Sequence, residues 1–161
     1  MQPTHESIAC FLPHLHYNKL MDKNDKLTNE EKILIEALRK WNDVKIHINL
    51  YGRQNIPKEG GIYWACIGEN VGDEMYGKSD YFTRPVLVYK KLSRYRFMGI
   101  PLTSKPHEGS WYVPFVHNGK KQVAVIGQAR VMNIKRLLQK IGEADDADMR
   151  KIRRAFIDLY S

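Results

Sequence analysis

Between Gly61 and Glu143 the chain breaks into short apolar runs, each rich in β-branched or aromatic residues and each bounded by turn residues. GIYWACIGE (61–69), RPVLVYKK (84–91), YRFMGIPLT (95–103), SWYVPFV (110–116) and KQVAVIG (121–127) read as strands. KRLLQKIGE (135–143) supplies one more. His117-Asn118-Gly119-Lys120 joins two of them, and Asn-Gly is a strong type I′ hairpin signal. Short strands at this spacing predict a small barrel or sandwich. The hairpin of residues 84–105 turns through Lys91-Leu92-Ser93-Arg94. If Ser93 and Arg94 are its two turn residues, Arg84 opposes Thr103. Opposed residues on antiparallel strands share a face, so a guanidinium stands beside a hydroxyl, with Ser104 and Lys105 next to them.

The flanks read as helices. Thr28-Asn29-Glu30-Glu31 is a capping box, and Leu34, Leu38 and Trp41 follow on one face. At the other end Asp145 is the expected N-cap, with Asp146 and Asp148 at the positive end of the dipole. Met149, Ile152, Phe156 and Leu159 then form a stripe that packs on the strands, while Arg150, Lys151, Arg153 and Arg154 face water. The expected organisation is an N-terminal arm and helix over residues 1–55 and a β domain with a C-terminal helix over 56–161. His14 and His16 lack a nearby third ligand and read as incidental.

Charge narrows the class of partner. The net charge is +8. From Tyr81 to Gly142 twelve basic residues face a single acid, Glu108. Such a field predicts a phosphate backbone as the partner. Two cysteines, Cys10 and Cys66, without ligand spacing, fit a reducing, cytoplasmic setting. No apolar run is long enough to span a membrane, and the N-terminus does not read as a signal peptide.

The chemistry that these residues permit is cleavage of RNA by its own 2′-OH. The protein must assist proton removal, stabilise the phosphoryl oxygens and protonate the leaving 5′-oxygen. The planar fork of Arg84 suits phosphate oxygens, Thr103 can donate to the same group, and backbone amides near Ser104 add to it. Metal-dependent hydrolysis needs converging carboxylates or histidines. The basic half offers only Glu108, His107 and His117, with Asp73, Glu74 and Asp80 in the loop of residues 70–83. The expectation is therefore metal-free cleavage, with no cofactor, leaving a 2′,3′-cyclic phosphate and a 5′-OH. His107 is the candidate base, and Glu74 could act as a base or read a nucleobase edge. Tyr76, Tyr81 and Phe82, on the loop, are candidates for base stacking. Tyr95, Trp111 and Tyr112 sit at strand positions, where an aromatic more often packs in a core.

From Gly61 to the C-terminus the chain resembles the MazF/PemK toxins of toxin–antitoxin systems. The resemblance is carried in order by GIYWACIG, VGDE, RPVLV, IPLTSK, VIGQARV and KRLLQKIG, then the acid-capped last helix. It implies an SH3-like β-barrel of the MazF/PemK/CcdB type that forms a homodimer, binds single-stranded RNA in a basic groove and cleaves it sequence-specifically without metal. It also implies a cognate antitoxin that blocks the groove. By position, the catalytic arginine and threonine fall on Arg84 and Thr103, and a neighbouring hydroxyl on Ser104. The loop glycine and glutamate fall on Gly72 and Glu74. The Gln-x-Arg pair falls on Gln128 and Arg130, which hold structure or bind RNA. Some members use an aspartate at the position of Gly127 with a histidine in the first loop. Here Gly127 has no side chain, the loop of residues 70–83 has no histidine, and Met75 stands where a glutamine is common. Two other readings stand beside this one: an inactive barrel that binds RNA or an antitoxin, and a gyrase inhibitor of the CcdB type.

Overall fold

The computed structural model describes residues 27–54 and 56–161. Cys10, His14 and His16 lie outside the described residues. The chain divides into two compact units between Ala37 and Leu38, inside the first helix, α1 (Asn29–Tyr51). In the first unit the capping box forms as the sequence predicts. Glu31 accepts from the Thr28 amide at 2.7 Å, and Thr28 Oγ1 accepts from the Glu31 amide at 3.2 Å. Leu34 and Leu38 remain exposed, so of the expected apolar face only Trp41 is buried.

The second unit holds seven strands, β1 (Gly61–Cys66), β2 (Thr83–Lys91), β3 (Arg96–Thr103), β4 (Tyr112–His117), β5 (Lys120–Val125), β6 (Arg130–Asn133) and β7 (Leu137–Glu143), then α2 (Asp146–Tyr160). The antiparallel ladder runs β4-β5-β3-β2-β1-β7, and β6 continues the line of β5 along β3. Backbone pairing does not close this ladder; β4 and β7 are its two ends. A side chain bridges them, with the His117 ring 3.3 Å from the Ile141 carbonyl oxygen.

Both faces of the sheet are buried, which is why β2 is apolar at consecutive positions. Leu87 joins Ile62, Ile100, Leu102, Phe115 and Ile126 under α2, which contributes Met149 and Ile152. Val86 and Val88 point to the other face, with Ala65, Phe97, Met132, Ile134 and Leu137. α2 starts where the sequence places it: Asp145 is the N-cap and accepts from the Asp148 amide at 2.7 Å.

The β2–β3 hairpin differs from the expected two-residue turn. Lys91 opposes Phe97 and Lys90 opposes Met98, which leaves a longer turn. A bulge between Val88 and Lys90 then takes up the extra residue, so that Val86 opposes Pro101. The two departures cancel at the far end, where Arg84 and Thr103 lie. β6 was not expected. The 135–143 run divides into a 3-10 turn, Ile134–Arg136, and β7. Among the described residues no helix is long and apolar enough to cross a membrane.

Candidate active site

Arg84 and Thr103 line the same cavity, of about 460 Å³, with Ser104, Lys105, Lys78 and Gln122. Arg84 sits on β2 opposite Ala65 of β1. Its Nε donates to the Tyr76 carbonyl at 2.7 Å and its Nη1 to the Leu102 carbonyl at 3.4 Å. The guanidinium carbon lies 5.9 Å from the centre of the Tyr76 ring. Burial lowers the Arg84 pKa, and the Tyr76 phenol works the other way. Thr103 Oγ1 accepts from the Lys105 amide at 3.2 Å, which turns the chain back across the mouth of the cavity.

The carbonyl that holds Arg84 belongs to the 67–82 loop, and several groups fix that loop. Gln128 Oε1 accepts from the Met75 amide at 2.7 Å, and its Nε2 donates to the Asp73 carbonyl at 3.1 Å. Arg130 donates to the Met75 carbonyl at 2.6 Å, and Asn70 to the same oxygen at 2.7 Å. Both side chains of the Gln-x-Arg pair are thus committed to loop backbone. Burial lowers the pKa of Arg130, Glu74 opposes this, and the charges of Arg136 and Arg84 add to it. Arg130 therefore lies within electrostatic reach of both other guanidiniums.

The base of the loop packs against α1. Trp41 meets Phe82 with ring centroids 5.6 Å apart, and Arg136 stacks over Trp41 at 5.4 Å. Gly68 has a positive φ of +100°, and a Cβ there would lie 2.5 Å from the Trp41 ring. Gly77 approaches the Phe82 carbonyl so closely that a Cβ would overlap it.

The other predicted residues separate. Glu74, Tyr76 and Tyr81 are exposed on the loop. Phe82 is a correction: it is 7% exposed, under Trp41, so its ring cannot stack on a base. His107 lies beside the Arg84 cavity. It stacks on Tyr112 at 4.7 Å and lines a neighbouring cavity of about 790 Å³. The two cavities share Ser104 and Gln122. His117 is turned to the Ile141 carbonyl. Among the described residues no group of three or more His, Cys, Asp or Glu side chains could hold a metal ion.

Residues 58–160 match the family model of the PemK-like, MazF-like toxin of type II toxin-antitoxin systems. The chain belongs to the PemK/MazF toxin family. Solved structures share the fold. MazF from Deinococcus radiodurans has a TM-score of 0.54 at 20% identity, over 66% of this chain and 97% of that one. An endoribonuclease in complex with its cognate antitoxin, from a mycobacterial species, has a TM-score of 0.52 at 16% identity, over 65% and 94%. A second mycobacterial endoribonuclease structure has a TM-score of 0.52 at 16% identity, over 66% and 93%. Among curated proteins none matches.

One departure from the PemK/MazF pattern has a visible cause. The Trp111 ring lies where a side chain at Gly127 would begin, 3.2 Å from a Cβ placed there. A side chain at that position needs the exposed Trp111 ring to give way by a few tenths of an ångström. Sequence reasoning missed Trp64, Lys78 and Gln122 at the cavity and Trp41 and Arg136 beneath the loop. Trp64 had a signal: it opposes Pro85 and stays exposed in a strand otherwise apolar.

Proposed function

We propose that this chain is a metal-independent endoribonuclease toxin that cleaves single-stranded RNA at sequence-specific sites. The observation that carries this is the meeting of Arg84 and Thr103 in one cavity, the guanidinium oriented by two carbonyls and the hydroxyl at the rim. Residues 56–161 form the toxin domain, an SH3-like barrel in which His117 spans the open edge, and residues 1–55 supplement it. The RNA 2′-OH attacks the adjacent phosphorus. Arg84 holds the non-bridging oxygens as charge builds on them, and Thr103 donates to the same group. As the 2′-O–P bond forms and the P–O5′ bond breaks, the 2′-OH gives its proton to solvent and the leaving 5′-oxygen takes one up from it, giving a 2′,3′-cyclic phosphate and a 5′-OH. Ser104, Lys105, Tyr76, Tyr81 and Glu74 line the RNA path, and His107 meets it one cavity further on. The partners are a second copy of the chain and a cognate antitoxin, in the cytoplasm; the mycobacterial relative, solved with its antitoxin, supports the latter.

The test is end-mapping of a long RNA after incubation with pure protein in EDTA. Cyclic-phosphate ends at a recurrent site are expected, lost in folded Arg84→Ala and Thr103→Ala variants. Binding without cleavage by the well-folded wild type refutes the catalytic assignment.

A further inference from the structure

Ala65 is the Cα partner of Arg84 on one side and of Leu137 on the other. Two strand spacings, about 10 Å, therefore separate the catalytic strand from β7. Immediately before Leu137, α1 and the 3-10 turn enclose a second groove of about 450 Å³. Its polar walls are Asn42, Lys45 and Asn49 of α1, with Asn133, Lys135 and Arg136 opposite, and no carboxylate lines it.

Two cations of this groove, Lys135 and Arg136, are anchored by neutral groups. Arg136 donates to the Cys66 carbonyl at 3.0 Å and lies over Trp41. Lys135 donates to the Asn49 carbonyl at 2.5 Å. A carbonyl fixes an N–H direction and leaves the positive charge uncancelled. Arg keeps further donors beyond the one used, and so does Lys. Arg84 and Arg130 are held in the same way, by the carbonyls of Tyr76, Leu102 and Met75. Some other cations are paired with acids: Lys90 and Arg153 with Glu59, Lys140 with Glu143, Arg154 with Asp158. Among the described residues Arg84, Arg130 and Arg136 form no such pair. Three fixed guanidiniums thus run from the cavity to the groove, which ends among amides able to donate to phosphate or ribose oxygens.

We propose that this groove is a second phosphate-binding site for RNA, which continues the path from Arg84 across β1 and lets α1 hold nucleotides flanking the cut. The inference rests on the ribonuclease reading for the identity of the ligand. A rigid guanidinium fork among amides suits a phosphodiester. The site lies outside the family match at its α1 wall, residues 42–49, so it belongs to what this chain adds to the toxin domain.

The experiment compares two RNAs that share one mapped cut: a short one of about 6 nucleotides and one extended on both sides to about 20, beyond a single-domain site size. In the Lys45→Gln/Lys135→Gln double variant, KM for the long RNA rises about tenfold and for the short RNA less than twofold. The salt slope for the long RNA falls by about 1.4, as expected for two phosphate contacts on a single strand. Equal effects on both RNAs, or none, overturn the proposal. Should the double variant unfold, Asn42→Asp places a repelling charge in the groove and gives the same comparison. If wild-type protein cuts neither RNA, the ribonuclease reading falls. Anisotropy with the same two lengths as uncleavable 2′-deoxy analogues then decides the groove on the same criteria. A glutamate-rich peptide that binds wild type but not the double variant, while long RNA binds both equally, assigns the groove to protein and overturns the proposal.

Discussion

Arg84 is oriented by geometry that a point charge does not reproduce. Its fork spans from the Tyr76 carbonyl to the Leu102 carbonyl, so lysine keeps the charge and loses one anchor. Arg84→Lys is expected to lower kcat by about 100-fold or more, the scale of one lost oxyanion donor. RNA affinity should change by only a few-fold, because the charge remains. Single-turnover cleavage beside anisotropy on an uncleavable analogue separates the two, and parallel losses in both overturn this reading. Thr103→Ser should keep most of the activity that Thr103→Val loses. At this scale the meeting of Arg84 and Thr103 in one cavity was legible because both lie on one hairpin. The fate of Phe82 was not, because the ring that covers it, Trp41, comes from a separate element far upstream. For the same reason the crowded space at Gly127 is invisible until Trp111 is placed over it.

Elements carry the loop whose carbonyl aims the arginine. Trp41 packs on Phe82, Gly68 and Arg136 at once, so Trp41→Ala should cost about 3 kcal/mol, and Trp41→Phe less. Denaturant titration checks this, and a cost under ~0.5 kcal/mol would show that the helix does not support the loop. Glu59 ties β2 to α2: it accepts from the Lys91 amide at 2.9 Å and pairs with Lys90 and Arg153. The Lys91 amide holds its carboxyl below the usual 4.5, while burial opposes this. A carboxylate with a lowered folded pKa stabilises the fold above its unfolded value. That contribution is lost as pH falls from 4.5 through the folded value. Glu59→Gln should thus cost roughly 0.5–1 kcal/mol near neutral pH, discounted for exposure, and the gap should close in acid. Six strands and both described helices were legible from period, caps and turns. β6 was not, because Arg130-Val131-Met132-Asn133 is short and buries only Met132. The hairpin register returns to the expected one at Val86 and Pro101, toward Arg84 and Thr103, through two compensating departures, a longer turn and a bulge, and neither leaves a mark in an alternating pattern.

Over the whole molecule, the charge count of the strand region overstates the free field. Glu59 and Glu143 lie just outside that region and fold back onto Lys90 and Lys140. Among the cations that form no ion pair within the described residues are Lys78, Arg84 and Lys105 at the cavity and Lys45, Lys135 and Arg136 at the groove beyond it. Affinity for RNA should therefore depend steeply on salt, whereas Lys90→Ala should leave the slope nearly unchanged and Lys105→Ala should lower it by about 0.7. Binding isotherms at several ionic strengths distinguish the two, and equal slopes for both variants overturn this assignment. Basic composition pointed to the class of partner. The direction of the field needed coordinates, because pairing between remote segments decides which charges survive.

The acceptors that aim Arg84 are main-chain oxygens, one on the exposed loop and one inside β3. Replacing the residues at 76 or 102 changes a side chain and leaves its carbonyl in place. The side chains around the cavity can therefore drift or be redesigned while the aim of the guanidinium passes on unchanged, bound to the path of the backbone.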